Sequence, residues 1–327
     1  MVLSDLLAGS GGGRVPFVPL VYGLAARLEQ MAVGEMAADP GKLARSLRNA
    51  QRLFGYDAVV SSFDLSLEAE ACGCEVRRAA GNIEVVGHPL ADEGRIAAFD
   101  PEMVGERGRV PVVLEATRRL RQELGAAALL GVVAGPLTLA GHLRGEGLLE
   151  GLRNGSASDE EVLDLAGAAG LRMARLFGEL RVDAVMVVEI FPAGADGSQL
   201  SLVEAPLASI WNVVRYYKAY PMLMARCSDT LPLDKLFGLG ADGVLVSGPF
   251  AMEEVRQAAQ ARHVCFSLGV PLASFLADKG ESARSVTDDL RLAGGSRFFL
   301  SSEWEVPVDT PPENLHGMVR AIREASI

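Results

Sequence analysis

Several positions along the chain carry side chains or turns that could do chemistry, and each follows a short apolar run. They are Asp64, Gly135-Pro136, Glu189, Cys227, Ser247-Gly248-Pro249 and Ser302-Glu303-Trp304. A carboxylate at the end of a buried run can act as a general acid, bind a cation or ligate a metal, and partial burial shifts its pKa. The same carboxylate can equally cap the helix that follows. Spacing argues against the simplest metal sites. Cys72-Gly73-Cys74 sets two thiols one residue apart with no second pair, which is not the pattern of a structural zinc site. In His263-Val264-Cys265 both outer side chains share one face at the start of a run, and they read as packing. His88 reads as a surface-loop residue and His316 as a helix residue.

The elements that must position these groups are legible from hydrophobic periodicity. Eight short β-rich runs occupy residues 15–20, 58–62, 128–134, 184–189, 222–226, 243–247, 264–268 and 298–302. They are continuously apolar rather than alternating, as expected of parallel strands covered on both faces. Helical patterns separate them. Between the third and fourth runs, Val162, Leu165, Ala166, Ala169, Met173, Leu176, Phe177 and Leu180 keep a three/four spacing, with Ser158 and Glu161 expected to form a capping box. Near the C-terminus the spacing predicts Thr310 as N-cap, Pro311 at the first helical position and Glu313 reaching back, with Leu315, Met318, Val319 and Ile322 as the buried stripe.

Eight strands, each followed by helical sequence, predict a single α/β domain of the (β/α)8 TIM-barrel type. A doubly wound sheet is disfavoured because no strand-turn-helix carries a dinucleotide glycine fingerprint. Residues 75–110 break the rhythm with Gly81-Asn82, Gly87-His88-Pro89 and Asp92-Glu93-Gly94, and read as a β-hairpin insertion after the second strand. An insertion there would overhang the C-terminal mouth, where active sites of this fold collect, as a lid or substrate wall; a decorative loop is the alternative.

Composition bounds the possible functions. The chain has 327 residues, with 31 Lys and Arg against 42 Asp and Glu, a net charge of −11. With 49% hydrophobic and 22% charged residues it can bury a large core, which excludes disorder. The acidic balance disfavours non-specific nucleic-acid binding and anionic membrane surfaces. No apolar run approaches the roughly 18 residues a membrane-spanning helix needs. Residues 1–13 lack the cationic start of a signal peptide and end in Ser10-Gly11-Gly12-Gly13, so they are expected to be flexible and the protein cytoplasmic, with the barrel over residues 14–327. Four cysteines are too few for a disulfide scaffold.

Three segments carry a resemblance to a known family. They are Phe63-Asp64 with Glu68-Ala69-Glu70-Ala71-Cys72-Gly73-Cys74, then Val133-Ala134-Gly135-Pro136-Leu137-Thr138-Leu139-Ala140, and finally Pro307-Val308-Asp309-Thr310-Pro311-Pro312-Glu313-Asn314-Leu315. From about Arg14 to the end, the chain resembles the uroporphyrinogen decarboxylase superfamily, which includes corrinoid-dependent methyltransferases as well as the heme-pathway decarboxylase. The resemblance implies a (β/α)8 barrel, in agreement with the strand count.

The departures from the family pattern point to a branch. Asp64 falls on the family's pyrrole-binding aspartate, but His142 stands where a decarboxylase usually has tyrosine and Trp304 where it has histidine. The decarboxylases' arginine-rich N-terminal loop is reduced to Arg14 and Arg27, which leaves a porphyrinogen's eight carboxylates without a cationic clamp. The Arg14-Val15-Pro16 opening and the Glu68 pattern resemble the methyltransferases more closely. Those enzymes often activate a thiol with zinc through a His-x-Cys-Gly and a later Gly-Cys. Here the first is Ala225-Arg226-Cys227-Ser228 and the second Glu303-Trp304, so zinc is not expected unless Glu189 and Glu303 complete an altered site with Cys227.

The resemblance therefore implies a demethylase-type methyltransferase that moves a methyl group between a small oxygen-, nitrogen- or halogen-bound donor and the cobalt of a corrinoid (cobalamin). The corrinoid would ride on a partner protein, because the chain lacks a corrinoid-binding Asp-x-His-x-x-Gly. Asp64, His142, Glu189 and Glu303 are the candidate acids and bases; Tyr22, Phe191 and Trp304 are candidate walls, with Glu68 and Cys227 in the binding set. The alternatives are a decarboxylase-like tetrapyrrole enzyme and a barrel that binds a tetrapyrrole or a partner without catalysis.

Overall fold

A computed structural model describes residues 2–10, 13–78, 83–91, 100–294 and 297–325. The strands are β1 (Phe17–Leu20), β2 (Ala58–Val60), β3 (Val76–Arg78), β4 (Ile83–Val85), β5 (Ala128–Ala134), β6 (Ala184–Ile190), β7 (Tyr220–Arg226), β8 (Gly243–Ser247), β9 (Cys265–Leu268) and β10 (Leu300–Glu305). Apart from the short β3 and β4, they coincide with the eight apolar runs. β2, β5, β6, β7, β8 and β9 form one parallel sheet in that order, and β10 pairs in parallel with β1. Bridges Phe266 to Phe298 and Val270 to Ser302 join β9 to the β10 segment. On the other side the Asp57 N–H, just before β2, donates to the Phe17 carbonyl at 2.9 Å. The eight strands thus curl into a (β/α)8 barrel, which spares them an open edge.

Helices follow every barrel strand, the longest being Ala157–Glu179 after β5 and Gly197–Tyr216 after β6. Their apolar stripes pack on strands that are buried along their whole length, such as β5 and β8. Phe177 of the Ala157–Glu179 helix is fully buried, as its three/four spacing requires.

Helix starts differ from the sequence expectation in two places. The cap of Ala157–Glu179 is Ser156, which accepts from Asp159 N–H, so Ser158 lies inside the first turn. At the C-terminus Pro312, not Pro311, opens the Pro312–Ala325 helix. The Thr310 hydroxyl is buried there and bonds no described residue, so the expected box does not form. His263 is also corrected: it ends the Met252–Arg262 helix in a left-handed conformation (φ 56°) and is not part of a strand with Cys265. The N-terminal stretch expected to be flexible contains a helix, Val2–Leu7, whose Leu3 and Leu7 are buried as an i, i+4 pair.

After β2, β3 and β4 pair antiparallel in the register Val76 to Val85 and Arg78 to Ile83. Gly81-Asn82 and Asp92-Glu93-Gly94 lie outside the described residues. No helix among the described residues is long and apolar enough to cross a membrane.

Candidate active site

A cavity of about 330 Å³ opens at the C-terminal ends of the strands. Tyr22 comes from the turn after β1, Phe63 and Asp64 follow β2, His142 lies on the helix after β5, and Trp304 and Glu305 end β10. Ile83, Glu84 and Val85 of β4 complete one wall. A second recess of about 590 Å³, more apolar, adjoins it and shares His142 and Ile190.

Asp64 is bound on several sides. Its Oδ1 accepts from the Ser66 N–H at 3.0 Å and the Ser66 hydroxyl at 2.6 Å, and its Oδ2 pairs with Arg109. Arg109 is buried and also reaches Glu70 at 2.5 Å, while Glu70 pairs with Arg78. The result is a chain of alternating charges, buried at Asp64 and Arg109 and exposed at Arg78. It ties up Arg109, and Asp64 serves in it as an acceptor. Sequence reading does not reach Arg109 and Ser66, because no local pattern links Arg109 to a residue 45 positions away.

Aromatic rings build another side. Phe63 meets Trp304 edge to face with centroids 5.2 Å apart, and the Arg226 guanidinium lies over Trp304 at 4.8 Å from its centroid. The Tyr22 hydroxyl is buried and bonds no described residue. Burial, together with the charge of Asp64, pushes its pKa well above the usual tyrosine range. Desolvation lowers the His142 pKa, so the ring is neutral near pH 7.

Glu305 escaped the sequence reading. Alternation along β10 would put Trp304 and Glu305 on opposite faces, yet both line the cavity. The register with β1 explains this: Val18 pairs with Ser301 but Leu20 with Glu305, an irregularity that re-aims the end of the strand. Glu305 Oε1 accepts from the Gly23 N–H at 2.5 Å. A Cβ on residue 23 would lie 2.8 Å from that oxygen, so the close approach requires glycine. Burial pushes the Glu305 carboxyl up to about 7, helped by the charge of Asp64 and opposed by the Gly23 bond.

The other expected acids accept hydrogen bonds from neighbouring backbone groups and do not line this cavity. Glu189 is fully buried and does not line the cavity; its Oε2 accepts from Leu137 N–H at 3.1 Å and its Oε1 from Thr138 N–H at 2.6 Å and from the Thr138 hydroxyl. Here β6 supplies a cap to the Pro136–Arg144 helix that follows β5. Gly135 is what lets it in, since a Cβ there would lie 2.4 Å from Glu189 Oε2. Burial pushes the Glu189 carboxyl up to about 7. Glu303 on β10 repeats the device for the Leu272–Leu276 helix that follows β9, accepting from the Leu272 N–H at 2.7 Å. Glu68 is buried beside the cavity, with Oε1 3.3 Å from the Ala134 nitrogen, and burial pushes it up to about 8.

Phe191 and Cys227 are buried and do not line the cavity either. Burial pushes the Cys227 thiol up to about 12, so it is not a thiolate. Among the described residues no three His, Cys, Asp or Glu side chains converge as metal ligands. With Ala225 and Trp304 at the other positions of the family pattern, and Glu189 and Glu303 committed to backbone N–H groups, the donor set does not fit zinc. Arg14 is also removed from the site: it pairs with Asp57 at the opposite end of the barrel.

The profile of the uroporphyrinogen decarboxylase (URO-D) family matches residues 3–325, and the chain belongs to that family. A methylcobamide:CoM methyltransferase, MtbA, of Methanosarcina acetivorans is 26% identical over 186 residues, 54% of this chain and 53% of the relative. A uroporphyrinogen decarboxylase of Nocardioides sp. is 31% identical over 153 residues, 43% of this chain and 42% of the relative. The chain thus spans about half the length of the curated relatives it matches. Among solved structures, a methyltransferase from Methanosarcina mazei superposes with a TM-score of 0.84 at 20% identity, over 98% of this chain and 97% of that one. That likeness bears on the barrel fold.

Proposed function

We propose that this protein is a methyltransferase that moves a methyl group between a small methylated donor and the cobalt of a corrinoid carried on a partner protein. The observation that carries the reading is the chemistry of the cavity. It measures about 330 Å³, and no lysine or arginine lines it among the described residues. Arg109, which pairs with the lining residue Asp64, is spent on Asp64 and Glu70. A porphyrinogen with eight carboxylates calls for several arginines in bidentate contact. A small donor does not. The name of the Methanosarcina acetivorans relative, a methylcobamide:CoM methyltransferase, agrees with this choice, and that of the Nocardioides relative favours the alternative.

The corrinoid supplies a strongly nucleophilic reduced cobalt for displacement at the methyl carbon. This chain supplies orientation and stabilisation of the leaving group. Phe63 and Trp304 form an aromatic corner against which a small donor is held, and the neutral His142 lines both recesses. Asp64, fixed by Ser66 and Arg109, sets the position of the wall it shares with Phe63 and does not deliver a proton. Glu189 and Glu303 hold the helices that frame the mouth. No step runs through zinc.

The test is anaerobic incubation with cob(I)alamin and a panel of oxygen-, nitrogen- and halogen-bound methyl donors, followed by visible spectroscopy. The reading expects protein-dependent methylcobalamin from at least one donor. Decarboxylation of uroporphyrinogen with no methyl transfer from any donor would replace it with the decarboxylase.

A further inference from the structure

Two polar groups of the cavity are left without partners. Among the acids that line it, Asp64 is tied to Arg109 and Ser66, and Glu84 to Arg77. Glu305 uses Oε1 for Gly23, but no described residue bonds its Oε2. Opposite in character is the Tyr22 hydroxyl, 2% exposed, which has only the Ser62 hydroxyl nearby and forms no well-aligned hydrogen bond with a described residue. Buried polar groups are nearly always bonded, so the buried Tyr22 hydroxyl marks where a ligand's polar atom belongs, and Glu305 Oε2, half-buried on the same cavity, is open to that atom.

We propose that Glu305 is the proton donor to the leaving oxygen of an oxygen-bound methyl donor, an ether or methanol, with the Tyr22 hydroxyl holding the same oxygen. The inference rests on the methyl-transfer reading and narrows its substrate. In the step, the electron pair of the reduced corrinoid forms the cobalt–carbon bond and the methyl C–O bond breaks. The C–O pair stays on oxygen, and the Glu305 proton passes to that oxygen. The products are the methylated corrinoid, an alcohol or phenol from an ether or water from methanol, and the Glu305 carboxylate, which solvent reprotonates. Leaving-group chemistry selects the donor class. An amine departs from a quaternary ammonium neutral, and a halide departs as a stable anion; an alkoxide or phenoxide is basic and is the group that gains from a positioned acid. Burial supports the assignment, since a carboxyl raised to about 7 still carries its proton near neutrality.

The rival explanation is that Glu305 merely caps the Gly23–Leu28 helix. Glu305→Gln separates the two, because the amide oxygen can still accept from Gly23 while the acid is gone. Methyl transfer to cob(I)alamin is compared for methoxybenzene and for trimethylphenylammonium, which match in shape. The proposal expects about a hundredfold or greater loss with methoxybenzene in the variant, little change with the ammonium donor, and a wild-type ether rate that falls above pH about 7. Equal losses with both donors, or no loss with the ether, would overturn it. If the wild type uses neither donor, the methyl-transfer reading fails for them, and infrared difference spectra on adding phenol judge Glu305 alone. A protonated carboxyl band that shifts with phenol and is absent from Glu305→Gln supports the contact; a band that does not move refutes it.

Discussion

Replacing Glu189 distinguishes a structural from a catalytic carboxylate. It accepts three hydrogen bonds, from Leu137 N–H, Thr138 N–H and the Thr138 hydroxyl, and is fully buried. In Glu189→Ala the two backbone donors lose their partner. At about 1–3 kcal/mol per stranded buried group, and allowing for a water in the space, the cost is about 3–5 kcal/mol. At about 2 °C per kcal/mol for a chain of this length, Tm should fall by about 6–10 °C. Glu189→Gln keeps one acceptor oxygen and adds a pH signature. A carboxyl whose folded pKa, about 7, lies above its unfolded value of about 4.5 stabilises the fold fully below the unfolded pKa, and that stabilisation is lost as pH rises through 7. The lost amount is of order 3 kcal/mol, at about 1.4 kcal/mol per pKa unit. Glutamine does not titrate. The variant should therefore melt below the wild type at pH 5 and draw level with it, or above it, at pH 8. Calorimetric melts of both proteins across this range provide the check. A variant that melts like the wild type at every pH but has lost methyl transfer would refute the capping role and return Glu189 to the reaction.

Three further outcomes follow from the same geometry. Asp64→Asn keeps an oxygen for Ser66 but sets an amide against Arg109, so stability should drop by about 2–3 kcal/mol in denaturant titrations, less than the full loss of a buried pair because Glu70 remains; an unchanged midpoint would count against the ion pair. Gly135→Ala drives a Cβ to 2.4 Å from Glu189 Oε2 and should cost about 1–3 kcal/mol, an effect that largely disappears in the Glu189→Ala background if the clash is its cause. Protein purified without chelator should contain no stoichiometric zinc by elemental analysis; one zinc per chain, lost in Cys227→Ala, would show that the donor set has been misread.

The barrel was legible because its signal is local: eight apolar runs separated by helical periodicity map onto strands that need no long-range information to recognise. The site was legible only in part. Asp64, Tyr22 and Trp304, at or just past strand ends, meet His142 of the helix after β5 in one cavity. Glu189 and Glu303 are strand-end carboxylates too, and sequence could not separate their roles from that of Asp64. The difference lies in whether a neighbouring strand's helix offers N–H groups within reach, which depends on register. Glu305 was missed for a similar reason, since an irregularity between β1 and β10 turns it into the mouth against the strand's alternation. Helix caps failed by a residue or two, at Ser156 and Pro312, where several capping residues stand in a row.

The central claim is methyl transfer at a cavity lined, among the described residues, by no lysine or arginine that could hold a porphyrinogen's carboxylates. It is tested most directly in one anaerobic vessel containing the protein, cob(I)alamin, deuteromethyl-labelled methoxybenzene and uroporphyrinogen, analysed by mass spectrometry. The account predicts protein-dependent deuteromethylcobalamin and phenol, with the uroporphyrinogen intact. Unlabelled cobalamin beside decarboxylated porphyrinogen would contradict it.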